Sequence, residues 1–214
     1  MRSKRNVSPL FVGVLLAGLI LTGCQDAAVD ADQPAPTQEQ TILAKMQQAF
    51  AETGMYAVPE DEYAVFGIEL PDVEALADAA GKTTTCDRAR VPFPYGVLVA
   101  RSCATVKLVQ FQGGLYNLIT ARAANSVDFS TVAIPIPRES KVCSVTLRLE
   151  GPFIAENDCV AEPHSYYASN AFAALIPAVD GPYHYIRNSQ HTWNIADQLF
   201  AAKTSVAFKV TPIP

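Results

Sequence analysis

The groups best able to do chemistry gather in the last quarter of the chain. The three histidines, His164, His184 and His191, lie there with Glu162, Asp180 and Asp197. Imidazoles and carboxylates can hold a metal or work as an acid–base pair. Their spacing argues against both: no two histidines stand four apart on a helical face, and there is no His-Glu-x-x-His. Ser130, Ser144 and Ser165 sit in no Gly-x-Ser-x-Gly elbow, so nothing marks an activated hydroxyl. The acidic groups Glu60-Asp61-Glu62 and Glu156/Asp158 read as solvent-facing loops, and Gly113-Gly114 is too short a run to cradle phosphate. The sequence therefore predicts no catalytic residue, no metal site and no cofactor, and a protein that is not an enzyme.

The remaining candidates are aromatic. Tyr166, Tyr167, Tyr183, Tyr185 and Trp193, with His184 among them, could stack on a sugar or anchor a protein partner. Tyr183 and Tyr185 share a face if 183–186 is extended. The competing reading is that these rings fill the core.

The chain opens with Arg2, Lys4 and Arg5, then the apolar run 10–21, then Thr22-Gly23-Cys24. A basic head, an apolar core and a small-residue exit describe a secretory signal. The core is about 12 residues, against the roughly 20 that a spanning helix needs. Leu21-Thr22-Gly23-Cys24 resembles the lipobox of bacterial lipoproteins. That resemblance implies cleavage before Cys24, a diacylglycerol on its sulfur and an acylated amino terminus. It covers this segment alone. Gln25 stands where an aspartate would resemble the inner-membrane retention signal, so the implied address is the cell envelope, outer membrane favoured. Several acyl chains anchor far more firmly than one.

Without residues 1–23 the chain has 191 residues, room for one domain with a real core. Its formal charge is then −8, from 13 basic and 21 acidic residues. An acidic surface repels phosphate, so nucleic acid is excluded as a partner. With Cys24 lipidated, Cys86, Cys103, Cys143 and Cys159 remain, an even number in a chain sent to an oxidising compartment. They fall into two similar units, which favours the pairing 86–103 with 143–159.

These candidates must be held by elements. Residues 24–36, rich in Asp, Ala and Pro, cannot bury enough apolar area to order themselves and read as a flexible tether. Thr37 and Gln40 form a capping box, and Ile42, Met46 and Phe50 make the stripe of a helix over 38–53 that stops at Gly54. A short strand is predicted over 64–70 and a second helix from Pro71 to about Ala80. The segments 97–111, 115–120 and 127–134 read as strands, with a turn at Gly113-Gly114. In 97–111 the apolar parity slips between Leu108 and Val109, as a bulge or a strand covered on both faces would require. Residues 142–150 alternate cleanly, with Cys143, Val145, Leu147 and Leu149 expected to face the core. Helices are predicted over 168–176 and 193–203, and a last strand carries Val206, Phe208 and Val210 inward.

The resulting expectation is an α+β fold: an antiparallel sheet with a few packed helices and two intradomain disulfides, a β-sandwich with peripheral helices being the alternative. The domains are a signal peptide at 1–23, the lipidated cysteine and tether at 24–36, and one domain at 37–214. The expected function is a lipid-anchored structural or protein-interaction subunit, with the bilayer as one partner through Cys24 and an envelope protein as the other. A glycan, peptidoglycan or small-ligand binding module built on the C-terminal aromatics is the second reading, and an envelope hydrolase the third.

Overall fold

The computed structural model describes residues 35–73, 84–131, 134–150 and 155–213, and Thr37–Pro214 forms one compact unit. The helix α1 spans Gln38–Thr53. Both bonds of its capping box form, with the Gln40 N–H donating to the Thr37 hydroxyl and the Thr37 N–H to the Gln40 side chain. Gly54 ends it at φ +74, in the left-handed region.

Among the described residues nine strands follow: β1 (Tyr56–Ala57), β2 (Thr84–Phe93), β3 (Gly96–Phe111), β4 (Gly114–Phe129), β5 (Glu139–Arg148), β6 (Ala155–Pro163), β7 (Ser169–Pro177), β8 (Tyr183–Ile195) and β9 (Gln198–Val210). A short 3-10 helix, Glu60–Glu62, stands between β1 and β2. Every pairing is antiparallel, in two sheets ordered β1-β7-β4-β3-β2 and β6-β5-β8-β9. The expected α+β fold is thus corrected to a β-sandwich with one α-helix among the described residues.

Two predicted helices are strands, each for a physical reason. Residues 168–176 carry apolar side chains on both faces because β7 lies inside the first sheet. Phe172, Ala174 and Ile176 meet the second sheet, while Ala173 and Leu175 lie under α1. A segment buried all round has no alternation, and periodicity cannot tell it from a helix. Residues 193–203 cross a two-residue turn at Ala196-Asp197, both with positive φ. Two alternating runs of opposite parity, joined by such a turn, imitate a helical period. The predicted strand over 64–70 is a run of turns and irregular backbone, and most of the helix predicted from Pro71 lies outside the described residues.

The β3–β4 hairpin pairs without interruption from Gly96↔Phe129 to Phe111↔Gly114, so its parity slip is no bulge. Val106 and Leu108 lie on the face toward the second sheet, whereas Val109 and Phe111 pack under α1. The turn is Gln112-Gly113, at φ +47 and +79, one residue before the expected Gly113-Gly114. β4 runs on to Phe129, taking in the strand expected over 115–120 and the first three residues of the one expected over 127–134.

The two disulfides are Cys86–Cys103 and Cys143–Cys159, each joining residues directly opposite in register. β2 and β6 are the outermost strands of their sheets, so each bond ties an edge strand to its neighbour.

The alternation of β5 is as expected but its face is inverted. Ser140, Val142, Ser144, Thr146 and Arg148 are buried; Cys143, Val145 and Leu147 are only half-buried on the outer face, and Leu149 is exposed. The reason lies in what the second sheet offers β5 across the interior.

Candidate interaction surface

Along the strands the interior changes from apolar to polar to apolar. At the near end, where α1 begins, Ile119, Ile176, Tyr185, Phe208 and Val210 pack together. At the far end Phe93, Leu98, Val127, Trp193 and Ile195 do so. Between them runs a belt of hydroxyls, amides and one imidazole that bonds the two sheets.

His191, wholly buried, is the hub of that belt. Asn125 on β4 donates through Nδ2 to the Ser140 hydroxyl at 2.7 Å and to the carbonyls of Lys141 and Thr192, so its Oδ1 must accept. His191 Nδ1, 2.7 Å from that Oδ1, therefore carries the proton, and Nε2 accepts from Thr204 at 2.8 Å. Thr204 in turn takes the hydroxyl proton of Ser102 on β3, 2.5 Å away. Ser140 donates onward to the carbonyl of Tyr166. Burial pushes the imidazole down to about 4, with Asp87 opposing only in part, so it is neutral. A hydroxyl, an imidazole and an amide in line resemble a nucleophile relay in type, but Ser102 and His191 are both fully enclosed. The chain bonds sheet to sheet.

A second cluster extends the belt. Ser144 donates to Asn170 Oδ1 at 3.0 Å and shares a hydrogen with Ser189 at 2.8 Å. Arg187, fully buried, donates to Thr146 and to the same Asn170 oxygen while lying over the Phe172 ring. These partners explain the inverted face of β5: its serines and threonine meet polar groups inside, so they are satisfied there.

The aromatic candidates divide between the two ends. Tyr185 is buried, stacked on Phe208 at 5.4 Å, and burial raises its hydroxyl to about 12. Tyr183, half-buried, lies under the Arg148 guanidinium at 4.7 Å. His184 is exposed and pairs with Glu150, whose carboxyl is held below its usual range by the His184 N–H and ring. Trp193 is fully buried and donates to the Tyr166 carbonyl, while Tyr166, also buried, donates its hydroxyl to the Pro135 carbonyl at 2.7 Å. Tyr167 alone of the five rings is largely exposed. His164, His184 and His191 stay apart, and no group of three metal-ligating residues occurs among the described residues.

The far end is the surface these placements pick out. Phe93 stands within 6.2 Å of the rings of Tyr95, Tyr166 and Phe200, and Phe129 meets Tyr166 edge-on at 5.1 Å. At this end Phe129, Ile136, Tyr167 and Leu199 are 41–76% exposed, Leu199 on the outer face of β9 opposite Phe200. A cleft of about 150 Å³ opens beside it, lined by Pro94, Tyr95, Ala196, Gln198 and Phe200 among others. Sequence reasoning missed Phe129, Ile136 and Leu199. Ile136 carried a signal, standing bare between Pro135 and Pro137, whereas Leu199 was hidden in the mistaken helix.

A second concavity, about 630 Å³, lies on the outer face of the second sheet. Asn188, Gln190, Lys203, Ser205 and Asp87 surround it, with Cys143 and Val145 on its floor.

No protein-family model matches this sequence, and no curated protein matches it. Among solved structures the GAE domain of GGA2p from Saccharomyces cerevisiae is similar over 59% of this chain and 99% of its own, at 8% identity and a TM-score of 0.22.

Proposed function

We propose that the protein is a non-enzymatic, lipid-anchored subunit of the bacterial envelope, tethered through Cys24, whose domain docks a protein partner with its far end. The observation that carries this is the set of exposed side chains, Phe129, Ile136, Tyr167 and Leu199, at the end that holds the aromatic nest. Single exposed apolar residues are ordinary, but several at one place mark contact surfaces. Rigid rings beside a small cleft suit the anchors that dominate protein interfaces. The lipobox resemblance supports the anchor, and edge strands held by disulfides suit a domain that persists outside the cytoplasm.

A photo-crosslinking residue placed at 136 or 199 in intact cells should trap one and the same discrete protein. The same residue at Gln190, in the sheet hollow, should not. Absence of adducts from both far-end positions overturns the reading.

The hollow favours a second reading, a binding module for glycan or a small polar ligand. Its rim of amides, lysine and aspartate offers donors and acceptors to hydroxyl groups. The aromatics first considered for that role lie mostly in the core, so Asn188, Gln190 and Lys203 would carry it. Adducts or ligand binding lost on Gln190→Ala, with the far end silent, would place function there.

A further inference from the structure

We infer that the near end is a lipid-binding surface, which seats the domain on the membrane that holds its anchor. This rests on the proposed lipidation of Cys24. Four distant stretches put apolar side chains at this end: Leu108 and Leu115 beside the β3–β4 turn, Val179 after β7, and Ile213 after β9. They are 38–78% exposed. Backbone bonds fix them as one assembly, since the Ala178 N–H donates to Leu115 and the Ile213 N–H to Ala178. β3 and β4 run past the second sheet here, so the face that buries Ile119 farther in is left open at Leu108 and Leu115.

The chain outside the domain points to the occupant. α1 begins at this same end, with Gln112 of the β3–β4 turn donating to Glu39 in its first turn. From Thr37 to Cys24 there are 13 residues, which reach at most about 45 Å at full stretch. An acylated Cys24 therefore holds the near end within reach of the bilayer.

The chemistry of the end matches an interface. Among the described residues a cleft of about 440 Å³ separates Val106 and Asn117 of the first sheet from Phe208 and Lys209 of the second and from Ile213 beyond it. Asn117 is 6% exposed, and its Nδ2 finds no acceptor among the described residues. A buried donor normally has a partner, and a phosphate or ester oxygen would supply one. Lys107 and Lys209 are exposed nearby, Lys107 in a cleft it shares with Glu69 and Asp72. Glu39 and Glu150 are engaged by Gln112 and His184, and Asp180 is the acid within the turn.

The test uses the mature lipidated chain in phosphatidylethanolamine–phosphatidylglycerol vesicles with brominated acyl chains, which quench indole only near the hydrocarbon. In a Trp193→Phe background, Leu108→Trp and Leu115→Trp should each lose most of their emission, whereas Ile136→Trp should keep it. Retained emission at 108 and 115, in a chain whose N-terminal peptide has the mass of the acylated form, overturns the inference and leaves the anchor standing. An unacylated peptide from cells removes the anchor itself. As a folding control, Leu108→Ser/Leu115→Ser/Val179→Ser should keep the thermal transition of the parent, since all three side chains are exposed. Its Cys24→Ser form should bind vesicles several-fold more weakly than Cys24→Ser alone, and equal binding counts against the surface.

Discussion

Replacing Asn125 with leucine would strand the proton on His191 Nδ1, two backbone carbonyls and a serine in one stroke. Each buried donor or acceptor left unpaired in this way costs about 1–3 kcal/mol. The same arrangement gives the fold a pH dependence that can be signed. His191 titrates near 4 in the folded chain because burial disfavours the imidazolium, and near 6.5 when unfolded. Between these values the unfolded chain binds more protons, so stability falls as pH drops through that window. The loss approaches about 3 kcal/mol at pH 4, on the order of 1.4 kcal/mol per pH unit of displacement. Denaturant unfolding of wild type at pH 7 and pH 5 should show this decline. His191→Gln should be less stable at pH 7 and much flatter over the interval, and an unchanged slope would remove His191 as its source. In the sequence nothing near this residue signals a buried partner. Asn125 lies 66 residues away and Ser102 farther still.

What could be read at the scale of the element follows from how local each signal is. The first helix was legible to its ends because Thr37, Gln40 and Gly54 satisfy their groups within a few residues. Thr37→Ala should therefore cost about 1 kcal/mol, measured by thermal unfolding. Gly54→Ala should cost more than the cap alone, because the new Cβ combines a left-handed φ with a position 3.2 Å from the Arg148 guanidinium. The strand faces were not legible, because alternation says only that two faces differ. On β5 the apolar face turned outward, and the buried face is set by Asn170, Arg187 and Ser189 on other strands. The disulfides follow the two-unit spacing of the cysteines because each closes within one antiparallel pair. A closed loop of this length is worth about 3 kcal/mol. Cys86→Ala/Cys103→Ala should lower stability by about that amount and speed amide exchange along β2, while β4 and β7 keep their protection. Exchange that rises equally in all strands would show that the bond does not act on the edge.

At the scale of the whole molecule the two apolar ends become visible only once the topology is drawn. Leu108, Leu115, Val179 and Ile213 are scattered over about half the sequence, and Phe129, Ile136, Tyr167 and Leu199 over about a third of it. Each looks like an isolated exposed residue until nine strands align them. Strands of 16 residues span about 50 Å, so the ends are well separated. A tether alone, joined at the near end, would keep that end low but let the far end swing over a wide range of heights above the bilayer. A near end held by lipid would instead fix the far end about 50 Å up, presented to a partner. Energy transfer from donors at Gln112 and Asp197, the turns at the two ends, to an acceptor in the vesicle surface separates these cases. The mature lipidated chain should give strong transfer from 112 and weak transfer from 197. Inserting a flexible glycine–serine segment before Thr37 should leave both values unchanged, because the surface, not the tether, sets the height. In Leu108→Ser/Leu115→Ser/Val179→Ser the same insertion should lower transfer from 112 toward that from 197. Equal transfer from the two positions in the unaltered chain would mean that the domain has no preferred orientation, and that any partner meets the far end only by chance of tumbling.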